Sequence, residues 1–519
     1  MKKINRDFKV RDFHQAKWNE PIIFELHNPG HRGIEVPLAS EALKKEAGDV
    51  YATIPQGMRR QKAPALPCVS QARVLRHFLR ITQEVIGADL NVEIGQGTCT
   101  MKYSPKINER LARSPKMSEL HPLQDERSVQ GILEIMYKTD LLLREICGMD
   151  RVSFQPQSGS QALMTMASLI RAKVEHDGKG EQKDEIITTL FSHPSAAASA
   201  IVKGFKVRTV GPREDGYPDF EQLKALVNER TAGFICANPE DTGLYNGEIK
   251  KFTELVHSVG GYCAYDQANA NGLFGITRAR DAGFDMCFFN LHKSFSTPHG
   301  CGGPGTGAVG VSKDFADFLP APVVDFDGEK YFLNDELPHS IGKVRVYQGT
   351  PQVVLKAYAW MRALGAEGLY EVAKIASLNN NYLYKRILEL RGTSVPFDSG
   401  EQRVEQARYS FQKLFDETGV STEDVQRRMC DLGLHYWTSH HPYVVPQPFT
   451  LEPTEFTSKE DIDEYADAIA QIVEEAYTNP EIVKSAPHNS SAHRNDESPF
   501  DDPKQWAISW RSYQKKFED

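Results

Sequence analysis

The sequence predicts an α/β protein, with a mainly parallel central sheet and a smaller C-terminal α+β domain. Three observations carry this reading. From Val152 onward, short β-rich runs alternate with helical stretches over about 150 residues, the pattern of a parallel sheet flanked by helices. The chain has 519 residues, too many for one small core and enough for two or three domains. A lysine in a glycine-rich stretch, Lys293, follows a strand-like run, where open α/β sheets place their ligands.

The elements follow in order. Residues 1–70 are irregular and rich in Pro and Gly, with HNPGHRG (His27–Gly33) as a turn segment, and read as an arm. Residues 71–365 form the large domain. Its leading helix is Val129–Cys147, where apolar residues recur with helical spacing. The expected strands are Glu185–Phe191, Lys206–Val210, Gly233–Ala237, Gly261–Tyr265 and Met286–Phe289. The expected helices between them are Gln161–Glu175, Asp219–Asn228 and Lys250–Val259. Two more follow at Val353–Leu364 and Gly368–Leu390. Residues 366–487 read as the small α+β domain, closing on a helix at Lys459–Ala476, and residues 488–519 as a polar tail.

Composition narrows the function classes. Charged residues make up 25% and the net charge is −9, with no basic stripe, which argues against nucleic acid and anionic membranes as partners. No apolar run is long enough to span a bilayer, and the first residues lack a secretory h-region. The eight cysteines form no CxxC pair and read as reduced thiols of a cytoplasmic protein. No metal signature is present, since His440 and His441 are adjacent and poorly placed to share an ion.

Four stretches carry chemistry. The first is NLHKSFSTPHGCGGPGTG, Asn290–Gly307. Glycines let backbone approach a ligand closely, and the hydroxyls and imidazoles around Lys293 can hold phosphate. The GxGxxG spellings at Gly300, Gly302, Gly305 and at Gly305, Gly307, Gly310 are not a dinucleotide fingerprint, because they lead into a strand-like AVGVS rather than a helix. The second is AYDQANAN, where Asp266 ends an apolar strand. Pyridoxal 5'-phosphate (PLP) needs such a carboxylate against its ring nitrogen. The third is QPQSGSQA, where Ser158, Gly159 and Ser160 precede a helical pattern and offer a phosphate cup at its N-terminus. The fourth is FSHPSAAASA, where His193 follows a strand and can stack on the cofactor ring. Taken singly, Asp266 and Ser158 could be ordinary helix caps and His193 a loop histidine. Together with Lys293 they point to PLP.

At these residues the chain resembles the PLP-binding half of the glycine cleavage system P-protein, glycine dehydrogenase (decarboxylating) subunit 2. The matching stretches are ELHNPGHRG, GTCTMKYSPKINE, LHPLQDERSVQG, YDQANAN, NLHKSFSTPHGCGGPG, YAWMRALGAEGL, LEPTEFTSKE and NPEIVKSAPH, between about His27 and His488. The resemblance implies fold type I, the aspartate-aminotransferase-like architecture. It implies that Lys293 is the Schiff-base lysine, Asp266 the pyridinium partner, His193 the stacking imidazole and Ala268 the contact on the other ring face. It adds His292 and Thr350 to the cofactor-binding set, Thr350 serving a neighbouring subunit, and puts Cys99 and Thr100 beside the substrate. The implied activity is decarboxylation of glycine with transfer of the aminomethyl group to a lipoyl carrier, the H-protein. The implied partners are a PLP-free first subunit and that carrier, in an α2β2 assembly or a homodimer. Departures from the family pattern cluster at QPQSGSQAL, SHPSAAAS and GTPQ (Gly349–Gln352). They leave open a divergent PLP enzyme acting on another amino acid or amine without the lipoyl carrier, and a non-catalytic partner subunit.

Overall fold

The computed structural model describes residues 10–34, 36–62, 64–87, 90–92, 94, 102–300, 302–398, 400–435, 444–494 and 509–515. The chain packs as two compact units. The larger holds residues 91–429 and 434–485, and the smaller holds 11–90, 430–433 and 486–519. These units cut across the expected boundaries at 70 and 487, because the arm and the tail are tied together.

In the smaller unit, helix α1 (Gln71–Gln83) carries buried His77, whose Nδ1 lies 2.9 Å from Glu20, and Arg80, which donates to the same carboxylate at 2.9 Å. Phe24 stacks on Trp510 at 4.9 Å, and Tyr513 Oη donates to Glu25 at 2.7 Å. The Asp431 carboxylate accepts backbone N–H groups of His488, Asn489 and Ser490. The described part of the tail is thus docked rather than loose.

In the larger unit, helix α2 (Gln130–Cys147) leads into strand β1 (Arg151–Ser153), then helix α3 (Gly159–His176) and strand β2 (Glu185–Thr189). Helix α4 (Pro194–Val202), strand β3 (Lys206–Val210), helix α5 (Phe220–Leu226) and strand β4 (Thr231–Ala237) come next. Helix α6 (Ile249–Ser258), strand β5 (Tyr262–Gln267), strand β6 (Met286–Asn290), the short helix α7 (Leu291–Ser294) and strand β7 (Gly307–Val311) complete the sheet. The sheet order is β1-β7-β6-β5-β4-β2-β3, and only β7 runs against its neighbours. The glycine-rich stretch therefore ends in a strand, as its sequence requires.

Every residue of β2, β6 and β7 is buried, which is why β6 (MCFFN) and β7 (GAVGV) read as nearly continuous apolar runs, while β2 (EIITT) buries Glu185 and two threonines beside its isoleucines. Alternate residues feed two cores. Cys263, Tyr265, Cys287 and Phe289 enter one, while Ala264, Met286 and Phe288 enter the other. The edge strand β3 is blunted by charge, with Lys206 paired to Asp184 and Arg208 to Glu185, each at 3.0 Å.

A hairpin of strands β8 (Val323–Phe326) and β9 (Tyr331–Asn334) follows, which the periodicity did not suggest. The two helices expected at Val353–Leu364 and Gly368–Leu390 are arms of one element, α8 (Pro351–Leu388), broken at Gly365, where φ is +67°. Strands β10 (Ala407–Ser410) and β11 (Pro448–Leu451) pair antiparallel, and helix α9 (Lys459–Thr478) completes this α+β region. Helix α9 starts on a capping box made by Ser458 and Asp461. Among the described residues no helix is long and apolar enough to cross a membrane.

Candidate active site

The carboxyl ends of the parallel strands converge on one cavity of about 240 Å³. Strand β5 brings Asp266 to it, the short helix α7 after β6 brings His292 and Lys293, and the turn after β2 brings His193. This is the place an open α/β sheet reserves for a ligand.

One end is built by the start of α3. Ser158 is extended, and its Oγ accepts the Gln161 N–H at 3.1 Å as an N-cap. The first N–H groups of α3 have no partners within the helix, which suits this end to an anion. Ser160 Oγ meets Ser195 Oγ at 2.6 Å, which joins the starts of α3 and α4. A Cβ on Gly159 would stand 2.8 Å from Asn290 Nδ2, so glycine lets the helix start touch that amide. Ser158, Gly159, Ser160 and Asn290 all line the cavity.

The middle is built by Asp266 and His193. Asp266 Oδ1 accepts the Ala268 N–H at 2.9 Å. Burial raises its carboxyl above the usual range, while the Ala268 N–H, His193 and Lys293 pull it back down. His193 Nδ1 accepts the Ser195 N–H at 3.1 Å, so the neutral ring carries its proton on Nε2. Burial lowers the His193 pKa against the pull of Asp266. His292 accepts the Thr306 N–H on Nδ1 at 3.3 Å, and burial followed by the Lys293 charge pushes its pKa down to about 3. Lys293 itself is 7% exposed.

A second row of groups fixes the first. Ser294 Oγ accepts the Ala270 N–H at 2.8 Å and donates to Asn269 Oδ1 at 2.9 Å. The amides of Asn269 and Asn271 both donate to Glu452, which is buried. The YDQANAN loop is thereby held against the residue next to Lys293.

Sequence reasoning placed Ser158, Gly159, Ser160, His193, Asp266, Ala268, His292 and Lys293 at a common site, and all of them line this cavity. Thr350 is not among its lining residues. It occupies the N-cap position of α8 without a side-chain capping bond, and its Oγ1 accepts from Gln157 Nε2 at 2.9 Å, so within this chain it supports the segment leading to the cup. Cys99 and Thr100 lie outside the described residues. Sequence reasoning missed Glu240, Asp241, Glu405 and Gln406, which form another wall. Glu240 and Asp241 follow strand β4, and their position at a strand end was the available signal. Glu405 and Gln406 directly precede strand β10 and carry no motif.

The residues fit PLP. The half-buried Asp266 carboxyl accepts one backbone N–H among the described residues and has room for a further N–H, which a pyridinium nitrogen supplies. The helix start suits a phosphate, and a lysine amine stands in the same cavity.

Comparison with known proteins agrees. A family model for class-V aminotransferases matches residues 157–426, and one for the glycine dehydrogenase C-terminal domain matches residues 372–493. The probable glycine dehydrogenase (decarboxylating) subunit 2 of Pyrococcus horikoshii is 43% identical over 506 residues, spanning 97% of this chain and 98% of that one. This chain belongs to the glycine dehydrogenase (decarboxylating) subunit 2 family. Relatives of the same name from Caldanaerobacter subterraneus subsp. tengcongensis and Staphylothermus marinus are 40% and 37% identical. The first spans 92% of this chain and 96% of its own length, the second 97% and 98%. A crystal structure of glycine decarboxylase (P-protein) in inhibitor-bound form superposes with a TM-score of 0.71 at 18% identity, over 84% of this chain and 99% of that one. A NifS-like protein superposes at 0.55 and 16% identity, over 72% and 97%. Both share the fold, which bears out the fold class read from the sequence, and the subunit 2 relatives bear out the family resemblance. The class-V aminotransferases are a PLP-dependent family of enzymes, and this member of the subunit 2 family carries their fold.

Proposed function

We propose that this chain is the PLP-bearing subunit that decarboxylates glycine and passes the aminomethyl group to a lipoyl carrier. The observation that supports it best is the convergence of Lys293, Asp266 and His193 on one cavity with a helix start at its end. Bound there, PLP would supply an electron sink for loss of CO2 from an amino acid.

The chain's own residues set the conditions. The N–H groups at Ser158–Ser160 would hold the phosphate, and Asn290 closes the cup beside Gly159. Asp266 would keep a proton on the ring nitrogen, because a carboxylate beside that N–H favours the charged pair in a buried site. His193 and Ala268 would cover the two ring faces, and Lys293 Nζ would anchor the cofactor covalently. His292, its pKa pushed down to about 3, stays neutral beside Lys293.

The relatives are named as subunit 2, and a PLP-free first subunit together with a lipoyl H-protein completes this reading. The test is carboxyl exchange between glycine and labelled bicarbonate, with the first subunit and the lipoyl carrier present. Exchange is expected, and its absence with a cofactor-loaded chain overturns glycine as the substrate. Lys293→Ala should fold and bind PLP without the borohydride-sensitive absorbance band. Persistence of that band would move the anchor to another lysine.

A further inference from the structure

Glu405 reaches the cavity on a strained turn. The Gln406 N–H donates to the Val404 carbonyl at 2.8 Å, and Glu405 between them has φ +70°. This is a three-residue γ-turn of the rare, unfavourable hand. Glycine would adopt it without strain, yet the chain places a glutamate there. Two glycines on other loops clamp the turn. The Gly243 carbonyl accepts the Val404 N–H at 2.8 Å, and a Cβ on Gly243 would stand 1.9 Å from the Gln406 carbonyl oxygen. A Cβ on Gly272 would stand 2.7 Å from Val404 and 2.8 Å from Glu405 Cγ. The turn is therefore built from three separate segments, and what it presents is a carboxyl.

That carboxyl lines the cavity together with Lys293, Asp266 and Glu240. Glu405 is 3% exposed, and its Oε1 has no hydrogen-bond partner among the described residues. A buried carboxyl oxygen with no donor is costly as a carboxylate and acceptable as an acid. Burial, then the charge of Glu452, pushes its pKa well above the carboxylate range, against the Gly272 N–H, Lys293 and Lys102. Asp241, whose carboxylate is taken up by Arg408 and Gln406, and the neutral His193 face the same space.

We propose that Glu405 is a proton carrier for the amine chemistry of this cavity, giving a proton to Lys293 Nζ and taking it back. As an incoming amine displaces the lysine, its nitrogen bonds to the cofactor carbon and the bond from that carbon to Nζ breaks. Nζ, which carries one hydrogen while bound, takes one proton from the incoming amine and a second from the Glu405 carboxyl, whose O–H breaks, leaving carboxylate and ammonium. When the lysine returns, the proton moves back to the carboxylate. Nothing is oxidised or reduced. The proposal rests on Lys293 being the anchor of PLP, and it adds a residue that the fold-forming motifs do not contain.

The test uses the full chain. In the PLP-loaded protein at neutral pH, where the lysine is bound to the cofactor, the infrared carbonyl stretch of a protonated carboxyl should be present and should be lost in Glu405→Gln. If the difference spectrum lacks that band, Glu405 is ionised and the proposal fails. Glu405→Gln keeps the neutral shape but cannot release a proton to Nζ. With PLP bound, the rate at which methylamine displaces the lysine should fall by about 10²–10⁴-fold. Exchange at the wild-type rate overturns the proposal. Glu405→Gly relaxes the turn, so its thermal midpoint should be no lower than that of the wild type, while added formate should restore the exchange rate. A lower midpoint with no formate rescue would make Glu405 a structural residue and sink the idea. A wild-type chain that shows no lysine-bound cofactor would instead refute the PLP reading itself.

Discussion

Lys102 Nζ lies 2.7 Å from Glu455 Oε1, and the two side chains are 0% and 9% exposed. The same ammonium sits over the Trp360 ring, 4.5 Å from its centroid. Burial lowers the Lys102 pKa, and Glu455 pulls it back up. The pair connects the end of the GTCTMK stretch to the LEPTEF stretch, two motifs separated by over three hundred residues.

Breaking that pair should be expensive. A lone buried charge costs far more than the pair contributes, on the order of 3–5 kcal/mol when one partner is removed. Lys102→Ala also loses the contact with Trp360, and Glu455→Ala strands the ammonium. We expect each single variant to lower the urea midpoint strongly without changing the slope. The double variant Lys102→Met/Glu455→Leu should lose much less than the sum, since apolar replacements of similar volume are often neutral. Additive losses would show that the two residues act independently.

Gly159→Ala tests the cup apart from the fold. Alanine in a helix is favoured over glycine by about 0.5–1 kcal/mol, so the cofactor-free chain should lose little stability. The new Cβ would stand 2.8 Å from Asn290 Nδ2 and 3.4 Å from the Phe288 ring, and the amide would have to give way. Loss of one hydrogen bond to a phosphate is worth about 1.5–3 kcal/mol, which predicts roughly a 10- to 100-fold weaker PLP affinity. Cofactor titration followed by absorbance measures this. An unchanged affinity would place the phosphate elsewhere.

The legible part of this molecule is the part that repeats a physical pattern. Strand β6 is buried on both faces, so its apolar run stood out, and Lys206–Val210 was placed with its true ends. Lys293, Asp266 and His193 were legible because each follows or ends a strand and each is a residue type the cofactor needs. Glu405 was not legible. Its place depends on a turn clamped by Gly243 and Gly272, and nothing in the local sequence RVEQAR announces a left-handed backbone at a glutamate. The docking of the described tail residues was not legible for a similar reason. Its anchors, Asp431 and Glu25, are distant in sequence, and composition reports only local polarity.

Glu240 gives the chain a distinctive pH response. It is 4% exposed, and burial raises its carboxyl to about 8, with the nearby Asp241 charge adding to the rise and a Thr189 hydrogen bond opposing it. In the unfolded chain a glutamate titrates at about 4.3. Between these values the folded state holds a proton that the unfolded state has released. The stabilising contribution is therefore complete below about pH 4.3 and is lost as pH rises through about 8. The loss over that window is at most about 1.4 kcal/mol per pH unit for one proton. Glu240→Gln keeps the neutral form at every pH, so its thermal midpoint should fall less than the wild type's between pH 5 and pH 8. The comparison is made on cofactor-free chains by scanning calorimetry, because bound PLP would add its own pH dependence. Parallel curves for the two proteins would mean that Glu240 is ionised in the fold, and the wall of the cavity beside Asp241 would then carry two negative charges.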